Sequence, residues 1–157
     1  MKFVTARFGE IDFKETEVIL LPKGILGFSQ LNRYVILERK EFAPFKWLQS
    51  IEDSNVAFVI MDPLEFFPNY KLEINEIELE ELNYTNSNDL VTYVIVTVPQ
   101  NVSLVSADLL GPVVINPKNR LAKQSVMPHS PYTTKHYLLD ELRKRSRRKY
   151  LSRKAPA

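Results

Sequence analysis

Residues 45–67, FKWLQSIEDSNVAFVIMDPLEFF, restrict the fold most. Two apolar runs, Phe45–Ile51 and Val56–Met61, flank the polar insert Glu52-Asp53-Ser54-Asn55. That pattern predicts two antiparallel strands joined by a short turn. Asp, Ser and Asn suit the turn because their side chains bond nearby backbone and tolerate tight curvature. Asp62-Pro63 stops the second strand, since proline removes a ladder donor and restricts the residue before it. Each large apolar side chain contributes about 1.5–3 kcal/mol on full burial. The hairpin, with the only tryptophan at position 47, is therefore the expected centre of the core.

The rest of the chain continues this short-strand pattern. Phe3–Phe8 and Glu10–Phe13 flank Gly9 as a second hairpin. Val18–Leu21 is an apolar run stopped by Pro22, and the Pro and Gly residues that follow make 21–28 a loop. One helical turn is expected at Ser29–Arg33, then a strand at Tyr34–Glu38 and a bend at Phe42-Ala43-Pro44. Tyr70–Ile74 alternates like a strand. Asn75–Leu82 reads as a short helix capped by Asn75, followed by a polar loop over 83–89. Leu90–Val98 is the strongest strand, and its β-branched run suggests burial on both faces. Leu104–Leu110, Pro112–Asn116 and Leu121–Met127 follow, and Pro128 and Pro131 are expected to end the sheet.

About ten short strands with hardly any helix before residue 134 predict an all-β fold. Closure removes aggregation-prone edges, so a small closed or nearly closed antiparallel β-barrel is favoured. The expected division is a barrel over 1–134 and a basic C-terminal tail over 135–157, helical or disordered. Leu138, Leu139 and Leu142 would form its apolar stripe.

Charge supports that division. Residues 135–157 hold nine Lys/Arg and two acids, a net +7, which leaves twelve bases and seventeen acids, a net −5, in the body. There is no cysteine, so no disulfide forms and a reducing compartment is expected. The N-terminus does not read as a signal peptide. No apolar run approaches the roughly 18 residues of a membrane span. A cytoplasmic location follows as an expectation.

Catalysis lacks a motif. The two histidines, His129 and His136, have no metal-ligand spacing, and the chain carries no nucleotide loop or nucleophile elbow. No metal, cofactor or catalytic residue is expected.

Several stretches, taken in order, carry a resemblance: FGEIDF (8–13), LPKGILGF (21–28), PFKWLQSIED (44–53), AFVIMDP (57–63), FFPNY (66–70), VIVTVP (94–99), ADLLGPVVIN (107–116) and YTTKH (132–136). Together they are similar to the FliW flagellar assembly factors, from residue 1 to about 137. The resemblance implies a β-barrel-like cytoplasmic protein without catalysis. It would bind newly made flagellin near its terminal regions. It would also bind the translational repressor CsrA, relieving repression of flagellin synthesis, with the two partners competing. Many members of the family stop soon after the YTTKH-like end, so the basic segment 137–157 departs from it.

Candidate partner contacts follow from residue type. Phe66, Phe67 and Tyr70 form either a plug closing one barrel end or an exposed patch that docks an amphipathic helix. Glu76, Glu78, Glu80 and Glu81 form either a solvated helix face or a surface for a basic partner. Trp47 and Lys46 lie in the central hairpin, Lys46 on the face opposite Trp47, at a possible rim of the site. The tail cations Arg143, Lys144, Arg145, Arg147, Arg148 and Lys149 suit either solvation or contact with a partner, RNA or an anionic membrane. A small nucleic-acid-binding β-barrel is the rival reading, and the acidic body disfavours it.

Overall fold

The computed structural model describes residues 1–84 and 89–154. Most of the polar loop expected at 83–89 therefore lies outside the described residues. Strands β1 (Lys2–Thr5) and β2 (Gly9–Asp12) form a separate antiparallel hairpin. Thr5 shapes its turn: the hydroxyl accepts from the Phe8 N–H at 2.8 Å and donates to the Gly9 carbonyl at 2.9 Å. Gly9 supplies the left-handed φ of +65°.

The main sheet is antiparallel. In spatial order it runs β3 (Ile19–Leu20), β4 (Arg33–Leu37), β5 (Lys46–Ser50), β6 (Ala57–Met61), β7 (Val91–Thr97), β9 (Val113–Ile115) and β10 (Ala122–Gln124). The C-terminal half of β7 also pairs with β8 (Ser106–Ala107), which in turn pairs with β11 (His136–Tyr137). The sheet curls until its two ends meet. Leu20 bridges Leu121 across them, and the Leu20 N–H donates to the Arg120 carbonyl at 2.9 Å. This is the nearly closed barrel anticipated from the sequence.

The period of two sorts side chains between inside and outside. Ile19, Tyr34, Leu48, Ile60, Ile115 and Ala122 come from different strands of the ring and pack together as its filling. Their neighbours in sequence face outward and are covered twice. The β1–β2 hairpin lays Ile11 and Phe13 over Val35. On the other side Phe67, Tyr70, Leu109, Met127 and Leu138 lie over Met61, Val94 and Val96. Val94 and Val96 are thus buried by this outer layer, while Tyr93 and Ile95 line the barrel filling. The two-sided burial read from the β7 run thus holds over its middle, while Val91 and Val98 at its ends are exposed.

The central hairpin forms as expected, and its register sets Lys46 opposite Ile60 and Leu48 opposite Phe58. Ser50 and Asp53 side chains cap its turn by accepting the Glu52, Asp53 and Asn55 N–H groups at 3.0–3.1 Å. Helix α1 (Glu76–Glu81) starts at Asn75, whose side chain accepts from the Glu78 N–H at 2.9 Å.

Four local expectations are corrected. Tyr70–Ile74 makes no strand, because its donors are used elsewhere: Lys71 N–H bonds the Tyr132 hydroxyl at 3.0 Å and Glu73 N–H reaches the Met127 sulfur at 3.1 Å. Ser29–Arg33 is not a helical turn. The Asn32 side-chain amide ties the Leu21, Pro22 and Ser29 carbonyls together and feeds the chain directly into β4. Leu104–Leu110 shortens to the two residues of β8. A 3-10 turn capped by Asn101 precedes it, and the Asp108 carboxylate takes the Leu110 and Gly111 N–H groups after it. Pro128 and Pro131 do not end the sheet, since β11 follows them and leads straight into helix α2 (Leu138–Lys154).

Candidate partner-binding surface

The two outer layers leave a gap between them. On the outside of β5, β6 and β7 lies an open apolar groove of about 880 Å³, walled by Phe42, Phe45, Trp47, Val59, Val98 and Val102. Trp47 and Val59 are register partners, which places them side by side on the floor. Phe42, Val98 and Val102 are 44%, 55% and 68% exposed, an apolar display that no described residue covers.

Trp47 is held rigidly. Phe8 and Phe42 meet its ring edge-on at centroid distances of 5.4 and 6.1 Å. The Arg7 guanidinium sits 4.5 Å over its face, a cation–π contact. A fixed, half-buried tryptophan beside exposed valines suits an anchoring site, because an ordered side chain loses little entropy on binding. Arg7 and Glu41 supply charge at the rim. Phe66 stacks on Phe45 at 6.1 Å, so it borders this groove from the second outer layer.

The other aromatic candidates lie deeper. Phe67 and Tyr70 are buried in the outer layer. The Tyr70 hydroxyl donates to the Leu109 carbonyl at 2.9 Å, and burial pushes its pKa well up.

Lys46 points to the other side of β5, into a separate polar cleft of about 590 Å³ that also holds Glu38, Asp62, Glu65 and Tyr93. Its ammonium donates to the Tyr93 hydroxyl at 3.2 Å and lies 3.9 Å from Glu38. Burial works against its charge. The Tyr93 hydrogen bond and the Glu38 and Asp62 carboxylates outweigh that and hold its pKa above the usual lysine value. Trp47 and Lys46, adjacent in sequence, thus belong to different surfaces.

The acidic helix divides in the same way. Glu81 meets Lys23 at 2.9 Å and Lys123 at 2.5 Å, and these two cations lower its pKa. Glu78 lies 3.7 Å from Lys123 and accepts from the Ser125 hydroxyl at 2.8 Å. These contacts dock α1 on the barrel, while Glu76 and Glu80 face solvent.

Helix α2 is anchored at its first residue. Leu138 is buried, and its N–H donates to the Val105 carbonyl at 3.1 Å. Arg143, Lys144, Arg147 and Arg148 are exposed, and Arg145 is half-buried. Arg143 and Lys144 pair with Asp140 and Glu141 at 3.9 and 3.5 Å. The side chain of Lys149 lies outside the described residues.

His136 packs edge-on against Phe67 and Tyr132, and its Nε2 accepts from the Thr133 N–H at 2.9 Å. No described helix is long and apolar enough to cross a membrane. The described residues contain no cluster of three or more His, Cys, Asp or Glu able to hold a metal.

Sequence reasoning missed Arg7, Phe42, Val98 and Val102. The available signal was the exposed-looking pair Val98 and Val102 on either side of the polar break Pro99-Gln100-Asn101.

Comparison with known proteins agrees with this architecture. The sequence model of the FliW protein family matches residues 2–138. The flagellar assembly factor FliW of Alkaliphilus metalliredigens is 42% identical over 141 residues, covering 89% of this chain and 87% of the relative. That of Thermoanaerobacter pseudethanolicus is 39% identical over 144 residues, covering 91% and 96%. A crystal structure of the flagellar assembly factor FliW superposes with a TM-score of 0.82 at 34% identity, covering 88% of this chain and 96% of that one. With its barrel, its outer layers and its sequence all in agreement, the chain belongs to the FliW family of flagellar assembly factors.

Proposed function

We propose that the protein is a cytoplasmic flagellin chaperone that also binds a CsrA-type translational repressor, and that the groove around Trp47 seats an amphipathic helix from the end of flagellin. One observation carries this reading: a preformed apolar groove with a clamped tryptophan lies uncovered on the outer face of β5–β7. Helix-in-groove recognition needs such a trough, with anchors for the apolar face of the incoming helix. Phe66 extends the groove at one end. Phe67 and Tyr70 lie in the packed layer beside it, and Lys46 offers a separate charged contact.

The repressor binds RNA and is therefore basic where it does so, which suits the solvent-facing Glu76 and Glu80. Glu78 and Glu81, already paired with lysines, contribute less to that contact. Competition between the two partners couples export of flagellin to its synthesis. No bond is made or broken in this cycle.

The test uses Val98→Asp, which alters an exposed groove wall, and Trp47→Ala. Isothermal titration with flagellin should show each weakening binding by tenfold or more, in the range of about 1–3 kcal/mol for an interface anchor. Wild-type affinity in Val98→Asp, with the fold intact by circular dichroism, would remove the groove from the mechanism.

A further inference from the structure

The apolar groove has a charged end. Trp47, Val59 and Val96 are register partners in turn, so they form a row across β5, β6 and β7. With strands about 4.8 Å apart, the row is about 10 Å long, the width of one α-helix with its side chains. Val98 and Val102 wall its β7 end without charge. Arg7 sits at its Trp47 end.

Arg7 is set apart from the other arginines of the barrel. Residues 1–134 contain four. Arg33 pairs with Glu15 at 2.7 Å, Arg39 donates to the Glu38 carbonyl at 3.2 Å, and Arg120 donates to the Glu17 carbonyl at 2.9 Å. Arg7 alone makes no hydrogen bond or ion pair among the described residues, although the body around it is acidic overall.

The guanidinium is nonetheless held in place. It projects from the turn between β1 and β2, which the Thr5 hydroxyl closes through Phe8 and Gly9. The Ala6 N–H donates to the Ser54 carbonyl at 3.0 Å and ties that turn to the central hairpin. The Trp47 ring then meets the guanidinium at 4.5 Å. This contact is a cation–π one, which gives the N–H donors no acceptor. A planar fork of donors, fixed and exposed at the end of an apolar trough, matches a carboxylate.

We infer that Arg7 selects the occupant of the groove by pairing with a carboxylate, an Asp or Glu side chain on one flank of the docked helix. The inference rests on the groove reading above and adds the chemistry of the occupant. A helix in the trough turns its apolar stripe to the floor, and the positions about 100° round its axis meet the walls. The flank toward Arg7 meets a cation, and the other flank meets Val98 and Val102. Glu41, exposed on the same rim, repels acids placed beside it and confines the pairing to the reach of Arg7.

The test is isothermal titration of the full chain with flagellin and with synthetic peptides of its terminal helices. Arg7→Gln and Arg7→Met should each weaken flagellin binding about tenfold. Methionine keeps an apolar stem against the indole, so loss of packing is separated from loss of charge. Wild-type affinity should fall between about 50 and 500 mM salt, and the fall should shrink in both variants. When each Asp or Glu of the peptide is changed singly to its amide, one change should cost the wild type about tenfold and the Arg7→Gln chain nothing. A merely structural Arg7 gives no such coupling. Trp47 is the only tryptophan, so its emission reads occupancy of the groove in the same samples. Wild-type affinity in both Arg7 variants overturns the inference, as do peptide losses that are equal in the wild-type and Arg7→Gln chains. If Val98→Asp loses binding while both Arg7 variants keep it, the groove reading stands and this inference falls. If Val98→Asp also binds like the wild type, both fall.

Discussion

At the scale of single residues, Tyr34 and Trp47 show what a period of two reveals and what it conceals. Tyr34 is fully buried in the barrel, and its hydroxyl has no hydrogen-bond partner among the described residues. Burial, with a smaller contribution from Glu52, pushes its pKa up to about 12. A buried hydroxyl without a partner costs free energy. Tyr34→Phe should therefore leave stability unchanged or raise it by about 1 kcal/mol, as read by urea unfolding. A loss of stability would mean that the hydroxyl is satisfied. Alternation correctly placed Lys46 opposite Trp47 in the sequence. It could not say which face of β5 turns into the barrel, since both faces carry apolar neighbours. That depends on the covering layers, whose residues are distant in sequence. For the same reason Phe66 and Phe67, adjacent in sequence, end at a groove edge and in a packed layer.

At the scale of elements, those with local causes were legible. The central hairpin follows from its Asp and Asn turn, α1 from its Asn75 cap, and β7 from its β-branched run. Strand β11 was not legible. It is two residues long, follows two prolines, and exists because β8 presents an edge to it. His136 sits in this strand and makes it sensitive to acid. Burial lowers its pKa from the usual 6.5, assisted by Lys144 and opposed by Glu141 and Asp108. The neutral ring is thus favoured in the fold, and only the neutral Nε2 can accept the Thr133 N–H. Its contribution to stability is complete above pH 6.5 and is lost as the pH falls below that value. Urea midpoints should drop between pH 7.5 and 5.5 in the wild type, and drop less in His136→Gln. Parallel curves for the two proteins would discount the histidine.

At the scale of the whole molecule, the acidic body and basic tail follow from the distribution of charge along the sequence, and the ring of strands follows from their number and shortness. How the ring shuts was not legible. Among the described residues its ends share no long ladder: the bridge between Leu20 and Leu121 and the hydrogen bond from Leu20 to Arg120 are joined by side-chain bonds, from Arg120 to the Glu17 carbonyl and from the Leu26 N–H to Gln124. Opening should be easiest there. Hydrogen exchange should find the Leu20 amide less protected than those of Leu48 and Ile60. Equal protection would show that the ring opens only by global unfolding.

The bridge between Leu20 and Leu121 also bears on how the molecule is made. It joins positions about 100 residues apart, and loop closure over such a distance comes late in folding. On the ribosome, the early strands emerge long before the partner that completes the circle. Until then the nascent chain presents a bare β3 border, and whatever shields that border during synthesis governs how much protein reaches its finished form.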